Sequence, residues 1–172
     1  MLKMIAIIII FLSSTYIGFY YGEGFKKRSK QLNSILKSVM FLNNEVMYSN
    51  TPLPEALKYI SFKVDKPISS ILSSTASRLE DGESTSVYDA FKDEYSKFGQ
   101  DLNLNHEDRG IIKDFLKGLG ESGVYGQDKL FNLTIENMKI NCKAAEELAK
   151  KNSKMYRVIG VCIGAMISIF LF

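Results

Sequence analysis

The chain has 172 residues, and its 22 basic and 19 acidic side chains give a formal net charge of +3. The charge is distributed unevenly, because residues 38–142 contain 11 basic and 16 acidic residues and the basic excess lies in the two flanking segments. A nucleic-acid-binding domain presents a basic face, so no nucleic acid is expected as a partner. A single histidine and two cysteines outside any C-x-x-C pair predict neither a metal site nor a cofactor.

The first element in the chain is an uncharged, apolar stretch of 19 residues, Met4–Gly22. A helix needs about 20 apolar residues to cross a bilayer, so the stretch is long enough. It ends in four aromatic residues, Tyr16, Phe19, Tyr20 and Tyr21. Such a group is typical of the aromatic belt at a membrane surface. A cleaved signal peptide is the alternative, but it would have a shorter apolar region and a small-residue cleavage site. We therefore expect an uncleaved transmembrane helix over residues 1–23.

Apolar residues then recur every three or four positions through residues 24–154, which predicts amphipathic helices. Five such segments are separated by turn sequences: residues 32–47, 53–60, 68–79, 87–98 and 111–119. A sixth runs from Gln127 to Ile159 without Gly or Pro, so we expect it to continue into the C-terminal apolar segment. No stretch alternates as a half-buried strand would. The predicted fold class is all-α, a compact six-helix antiparallel bundle flanked by N- and C-terminal transmembrane helices.

Local sequence marks two of the helix starts. Thr51 is the predicted N-cap of the second helix, and Pro52 suits its first position, where the missing amide would be unpaired anyway. Asn105 is the predicted N-cap of the fifth helix, and Asp108 follows three residues later. The apolar stripes are expected to face the core. The stripe of the fourth helix consists of Val87, Phe91, Tyr95 and Phe98.

The C-terminal apolar segment, Val158–Phe172, has 15 uncharged residues. As a helix it is about 22 Å long, which is shorter than the hydrocarbon core of roughly 30 Å. Tyr156 extends the segment into the interface, and Lys154 and Arg157 can reach the headgroups with their long side chains. A buried C-terminal core helix is the alternative. We expect a transmembrane helix over residues 155–172.

Basic residues flank both apolar segments on the side of the central domain. They are Lys26, Lys27, Arg28 and Lys30 after the first segment, and Lys150, Lys151, Lys154 and Arg157 before the second. Because positive flanks stay in the cytoplasm, residues 24–154 are predicted to be a cytoplasmic domain at the cell membrane, with both termini outside. Anionic lipid headgroups are the expected partners of these flanks. The predicted membrane-interface residues are Lys26, Lys27, Arg28, Lys154, Tyr156 and Arg157.

No catalytic motif is recognisable in the sequence. It contains no Gly-rich phosphate loop ending in Lys-Ser or Lys-Thr, and its one histidine leaves no candidate for a Ser/His/Asp set. We therefore expect a protein that acts by binding and is not an enzyme. A membrane-anchored regulator that senses a ligand inside the bundle is an alternative, although no sequence feature indicates a pocket.

Three motifs resemble those of the stage III sporulation protein AB family: "NNEVMYSNTPLPEAL" (43–57), "LGESGVYGQ" (119–127) and "KNSKMYRVIG" (151–160). Their order, their spacing and the flanking apolar segments match over nearly the whole chain. The last motif, which leads directly into the C-terminal segment, is the most specific. Two positions depart from the family pattern. Gly123 stands where the family tends to have an acidic residue, and Phe91 stands where it often has Trp.

The family in turn resembles the cytoplasmic domain of the inner-membrane platform proteins of type II secretion and type IV pilus systems. The stretches "TPLPEALKYI", "LEDGESTSVYDAF" and "GESGVYG" are similar to short platform motifs. The resemblance implies a base component of a channel complex in the mother-cell membrane around the forespore. Its implied partners are a secretion-type ATPase on the cytoplasmic side and other channel subunits. A single-domain platform protein of a pilus or type II secretion-like system is the alternative.

Two turns are predicted to bind a partner, because the apolar stripes are used in the core. The first turn, in "LEDGEST", contains Glu80, Asp81 and Glu83. The second turn, in "LGESGVYGQ", contains Glu121, Tyr125 and Gln127. Its glycines would let a backbone approach closely, and its aromatic ring could anchor in a pocket. The alternative is that both are ordinary solvated turns.

Overall fold

The computed structural model describes the backbone of residues 2–84, 86–99, 101–121 and 124–171, and their side chains except those of residues 2, 3, 6, 120, 121, 124 and 125. The described residues form six α-helices and no strand. The helices are α1 (Leu2–Met47), α2 (Leu53–Ser61), α3 (Ile68–Glu80), α4 (Val87–Lys97), α5 (His106–Glu121) and α6 (Val124–Leu171). The predictions of an all-α fold and of a compact helical bundle are confirmed.

The described residues divide into two compact units. One contains those of Met1–Ser29 and Lys143–Phe172, and the other contains those of Lys30–Cys142. We call the first the hairpin unit and the second the bundle unit. Helices α1 and α6 contribute residues to both. The domain boundaries predicted from the sequence, 1–23, 24–154 and 155–172, stay a prediction.

The long helix α6 is continuous across Gln127–Ile159, as its lack of Gly and Pro predicted. Helix α1 is also continuous, and it joins the N-terminal apolar stretch to the first amphipathic helix, two elements that the sequence analysis treated separately. At the junction of these two elements, Gly22 and Gly24 each make the helix about 1 kcal/mol less stable than alanine would. No proline interrupts α1, so packing can hold the helix together across both glycines.

The core of the bundle unit is built from the predicted apolar stripes. Its larger buried members are Leu32, Ile35, Val39, Leu42, Leu57, Ile60, Ile68, Ile71, Leu72, Ile112, Phe115, Leu116, Leu119, Phe131 and Met138. The rings of Phe115 on α5 and Phe131 on α6 meet edge to face, with centroids 5.2 Å apart, a geometry that aromatic pairs prefer. Residues three and four apart on each helix therefore share one buried face.

Helix α4 departs from the prediction. It buries Ala90 and Glu94. The expected core-facing residues are only half-buried: Val87, Phe91, Tyr95 and Phe98. The carboxylate of Glu94 lies 2.6 Å from Lys97 Nζ and 3.4 Å from a guanidinium nitrogen of Arg78. Burying a charge without such partners is strongly unfavourable. Lys97 lies in α4 at the i,i+3 spacing of helix pairs, but Arg78 belongs to α3, so the periodicity of α4 alone could not reveal that second partner.

The start of α5 has the reciprocal hydrogen bonds of a capping box. Asn105 Oδ1 accepts from the backbone amide of Asp108 at 2.8 Å, and Asp108 Oδ2 accepts from the amide of Asn105 at 3.0 Å. The predicted N-cap is therefore confirmed. Asp108 also accepts from Asn141 Nδ2 at 3.0 Å. That bond ties α6 to the beginning of α5 in the buried interior.

The start of α2 was predicted wrongly. The helix begins at Leu53, Pro52 occupies the N-cap position, and no side chain caps its first turn. The hydroxyl of Thr51 donates instead to a carboxylate oxygen of Glu45 at 2.9 Å. The Thr51 hydroxyl therefore bonds to Glu45 of the preceding helix and does not cap α2 as the local sequence predicted.

The connection between α4 and α5 is held by one side chain of α1. Gln31 Nε2 donates to the carbonyl oxygen of Asp101 at 2.6 Å, and its Oε1 accepts from the amide of Asn103 at 2.8 Å. Leu102 and Leu104 of the same connection are buried. The loop is thus fixed by polar and apolar contacts together, and it sets where α5 begins relative to α4.

Candidate membrane anchor and docking surfaces

In the described part of the chain, one helix is long and apolar enough to cross a membrane: Gly126–Leu171 of α6. Only 11% of its most apolar stretch is buried, whereas a core helix would be mostly buried. Its C-terminal part exposes Val158, Ile159, Val161, Ile163, Met166, Ile167, Ile169 and Phe170. Large exposed apolar patches mark membrane or protein contacts. The segment is therefore a candidate membrane-spanning helix.

The N-terminal part of α1 has the same character. It exposes Met4, Ile5, Ile8, Ile9, Leu12 and Ile17. The four aromatic residues assigned to an interfacial belt are exposed as well: Tyr16, Phe19, Tyr20 and Tyr21. The predicted N-terminal span includes side chains outside the described part of the structure, at residues 1–3 and 6, and it stays a prediction.

The two apolar segments of the hairpin unit pack together through glycines. An ideal Cβ added to Gly18 would lie 2.7 Å from the carbonyl oxygen of Tyr156 and 2.9 Å from Cα of Gly160. One added to Gly22 would lie 2.9 Å from the carbonyl oxygen of Ser153. Contacts below 3.0 Å are not tolerated by real Cβ atoms. The backbones of α1 and α6 therefore approach more closely at Gly18 and Gly22 than a side chain would allow.

These glycines belong to two G-x-x-x-G motifs, in which the glycines are four positions apart: "GFYYG" (18–22) and "GVCIG" (160–164). Small residues at this spacing let membrane helices approach closely, because dispersion contacts and hydrogen bonds drive helix association in lipid. Ser14 Oγ adds such a hydrogen bond by donating to the carbonyl oxygen of Gly160 at 2.9 Å. This packing surface was not predicted from the sequence, although the glycine spacing is readable there.

The polar end of this interface contains an ion pair among aromatic rings. Arg157 lies 3.3 Å from a carboxylate oxygen of Glu23, and its guanidinium lies 4.8 Å from the ring centroid of Phe19. The ring of Tyr156 stacks on that of Phe25 at 5.6 Å. Two predicted membrane-interface residues, Tyr156 and Arg157, thus each contact a side chain of α1. Glu23, the carboxylate that pairs with Arg157, was not among the predicted interface residues.

The other predicted membrane-interface residues are basic. Lys26 Nζ lies 4.0 Å from Glu23 on the same helix, a separation that contributes little in water. Lys27 and Lys154 are exposed, and Arg28 is half-buried with an interaction partner. Their contact with anionic headgroups stays a prediction.

The first predicted docking turn, which we call the acidic turn (residues 80–83), is an ordered charge network. Glu80 pairs with Lys58 Nζ at 3.2 Å, and Glu83 lies 3.4 Å from Arg78 Nε. Asp81 ends α3 through its backbone amide and is exposed. The turn itself depends on Gly82, whose φ of +70° suits glycine. Two of the three carboxylates of the acidic turn therefore have basic partners within the bundle unit.

The second predicted docking turn is described only in part. The side chains of Glu121 and Tyr125 lie outside the described residues, so their roles stay predictions. Gln127 is half-buried, and its Nε2 donates to the carbonyl oxygen of Leu119 at 3.4 Å. This long hydrogen bond links the beginning of α6 to the end of α5, which gives Gln127 a structural contact within the bundle unit.

The interior of the bundle unit offers little space for a ligand. A cavity of about 40 Å³ lies among apolar side chains that include Leu42, Leu72 and Phe115. It has room for a few water-sized molecules, whereas sites for drug-sized ligands are several hundred Å³. Among the described residues, no group of three or more His, Cys, Asp and Glu side chains could hold a metal ion. The ligand-sensing alternative therefore gains no support from this interior.

An all-helical bundle unit and a glycine-packed apolar hairpin unit, with one helix long and apolar enough to cross a membrane, define a helical-bundle protein with a candidate membrane anchor. The sequence profile of the stage III sporulation protein AB family matches residues 3–172. A relative from Bacillus subtilis (strain 168), stage III sporulation protein AB, is 26% identical over 171 residues and covers 99% of both chains. A solved structure of stage III sporulation protein AB is 25% identical, with a TM-score of 0.66 over 72% of this chain and 96% of that chain. The chain belongs to the stage III sporulation protein AB family.

Proposed function

We propose that the protein is a non-enzymatic platform subunit of a secretion-like channel complex between mother cell and forespore, and that sporulation requires it. The bundle unit docks a cytoplasmic secretion-type ATPase, and the hairpin unit holds other channel subunits in the membrane. The observation that carries the proposal is the combination, in one chain, of a glycine-packed apolar hairpin and a helical unit with a buried apolar core of its own. The family membership supports the link to sporulation.

The pairing within the hairpin unit supports a location with both termini on the same side. Gly18 faces Gly160, and Gly22, one turn later in α1, faces Ser153, which lies earlier in α6. The two segments are therefore antiparallel, and their outer ends meet at the same end of the hairpin. Together with the basic flanks, this supports a cytoplasmic bundle and both termini outside. The proposed location is the mother-cell membrane around the forespore.

The acidic turn is the proposed contact with the ATPase. Glu83 is 60% exposed and Glu80 is 35% exposed despite their basic partners, so both can meet a basic patch on another protein. Charge complementarity mainly raises association rate and specificity. Glu121 and Tyr125 are the proposed contacts of the second turn.

A pull-down of the tagged full-length protein from sporulating cells tests this function. The ATPase should co-purify with the wild-type chain, and Glu83→Lys should weaken the binding of the purified ATPase by upwards of about 1 kcal/mol. Glu136→Lys is the matched control, because it makes the same charge change at an exposed position of α6. Both variants should keep the melting temperature of the wild type, since surface changes usually alter stability by less than about 0.5 kcal/mol. Equal ATPase binding by both variants would move the interface away from the acidic turn.

A further inference from the structure

Outside these sites, the bundle unit has a surface groove between α4 and α5. Its volume is about 160 Å³, and its walls include the half-buried rings of Tyr88, Phe91 and Tyr95. The rings of Phe91 and Tyr95 stack with centroids 6.0 Å apart. A cavity of about 150 Å³ with apolar walls binds benzene, so the groove has room for one aromatic ring or one leucine side chain.

Positive charge surrounds this apolar groove. Lys92 of α4 and Arg109 and Lys113 of α5 line it, and all three are exposed. Lys117 Nζ lies 5.1 Å from the centroid of the Tyr88 ring. The described lining residues include no carboxylate. Burial raises the pKa of the Tyr95 phenol above its ordinary value of 10.0, and the charge of Arg109 partly opposes the rise. The groove thus combines partly buried aromatic rings with exposed basic side chains.

The basic residues of α5 follow the helix repeat. Arg109, Lys113 and Lys117 are four residues apart, so they share one face of the helix. Like charges at this spacing destabilise a helix by about 0.2–0.5 kcal/mol per pair. Asp108, next to Arg109, is buried and bonded to Asn105 and Asn141. The exposed Asp114 lies three residues before Lys117, so α5 places an acid at pairing distance from Lys117 but not from Arg109 or Lys113. A partner with negative charge would relieve this repulsion.

We propose that the α4–α5 groove binds an acidic segment of another protein, which places one aromatic or leucine side chain against the rings that line the groove and carboxylates against Arg109, Lys113 and Lys117. This surface is additional to the acidic turn, has the opposite charge and does not depend on the proposed ATPase contact. The excess of acidic residues in residues 38–142 disfavours an anionic bilayer or a nucleic acid, which would meet the repulsion of the whole unit, whereas a short segment meets the local positive field.

Selection from a library of short random peptides tests the groove when the partner is unidentified. The bait is the full-length protein in phosphatidylcholine nanodiscs, which contain no anionic lipid. Enriched peptides should combine Asp or Glu with Phe, Tyr, Trp or Leu. A synthetic copy of one such peptide should bind in fluorescence anisotropy. Its affinity should fall when salt is raised from about 0.05 to about 0.5 M, because exposed charges are then screened. Enrichment of peptides without acidic residues, or of none, overturns the proposal.

Matched variants show whether the peptide binds in the groove. Lys113→Glu and Arg109→Glu should each weaken peptide binding about tenfold, and Tyr88→Ala should weaken it without changing the salt dependence. Lys139→Glu, at an exposed position of α6, makes the same charge change outside the groove and should bind as the wild type does. Equal affinity of Lys113→Glu and Lys139→Glu overturns the proposal. Two further outcomes would also overturn the proposal. If the protein self-associates with rising concentration and only Lys113→Glu abolishes this, the groove holds a second copy of the chain. If the protein binds phosphatidylglycerol vesicles and only Lys113→Glu abolishes this, the groove holds a lipid surface.

Discussion

Gly18→Ala should force the two segments of the hairpin unit apart. The added Cβ would lie 2.7 Å from the carbonyl oxygen of Tyr156 and 2.9 Å from Cα of Gly160, whereas ordinary van der Waals contacts are 3.4–4 Å. Both neighbours are backbone atoms, so no side-chain rotation can relieve the overlap and the helices must separate. Overpacking of this kind costs about 1–3 kcal/mol. The equilibrium constant for pairing should therefore fall by roughly 5- to 150-fold.

A disulfide across the same interface measures this pairing. A Cβ added to Gly164 would lie 3.3 Å from Cβ of Ser14 and 3.1–3.2 Å from a ring carbon and the carbonyl oxygen of Phe11. A shift of a few tenths of an ångström relieves these contacts and brings the two Cβ atoms to the separation of about 3.5–4.5 Å in disulfides. Ser14→Cys/Gly164→Cys, in a chain with Cys142→Ala and Cys162→Ser, should therefore form a disulfide in detergent micelles. Its equilibrium with a thiol–disulfide buffer reports the free energy of pairing. Gly18→Ala should shift that equilibrium towards the reduced form.

Gly110→Ala is the control, because it makes the same chemical change inside α5. A Cβ at Gly110 would meet no atom within 4 Å, so only the helix propensity changes. The variant should stabilise the protein by about 0.5–1 kcal/mol and leave the disulfide equilibrium of the hairpin unit unchanged. An unchanged equilibrium in Gly18→Ala would refute the close glycine packing of α1 and α6.

Three other outcomes test the topology and the fold. The orientation can be tested in vegetative cells with chains whose native cysteines have been replaced. A cysteine added after residue 172 should react with an impermeant maleimide, and a cysteine at exposed Ser77 should not. The reverse pattern would contradict the orientation. Ile163→Arg should abolish labelling of the cysteine added after residue 172, because an arginine at the centre of a span costs about 2.5–3.5 kcal/mol of insertion free energy. The segment Met4–Gly22 should still keep this variant in the membrane. Continued labelling would mean that the C-terminal segment is not a span. Asn105→Ala removes a cap worth about 1 kcal/mol and should lower the melting temperature; an unaltered melt would argue against the capping box.

The periodic part of the fold was predictable from the sequence, and the paired part was not. Apolar spacing identified the buried faces of α2, α3 and α5, because a helix repeats its environment every three or four residues. Buried Glu94 has two basic partners: Lys97, three residues later on the same helix, and Arg78, 16 positions earlier on another helix. The first follows the helix spacing rule, whereas no spacing rule contains the second. The hairpin is an intermediate case. The length and flanking charge of each apolar segment predict only whether it can enter a membrane. The glycine motifs that begin at Gly18 and Gly160 indicate that the two segments pack against each other.

Pairing also decides what each carboxylate of the acidic turn offers to a partner. Glu80 is 35% exposed and has Lys58 3.2 Å away, so a partner must share or break that contact. Glu83 is 60% exposed, and its neighbour Arg78 lies 3.4 Å away while also contacting Asp93 at 3.0 Å. Exposed pairs contribute about 0.2–1 kcal/mol, so a partner recovers more from the less committed Glu83. Glu83→Gln should therefore weaken ATPase binding more than Glu80→Gln, measured by titration of the purified ATPase. Equal losses would mean that the partner responds to the net charge of the turn and not to individual carboxylates.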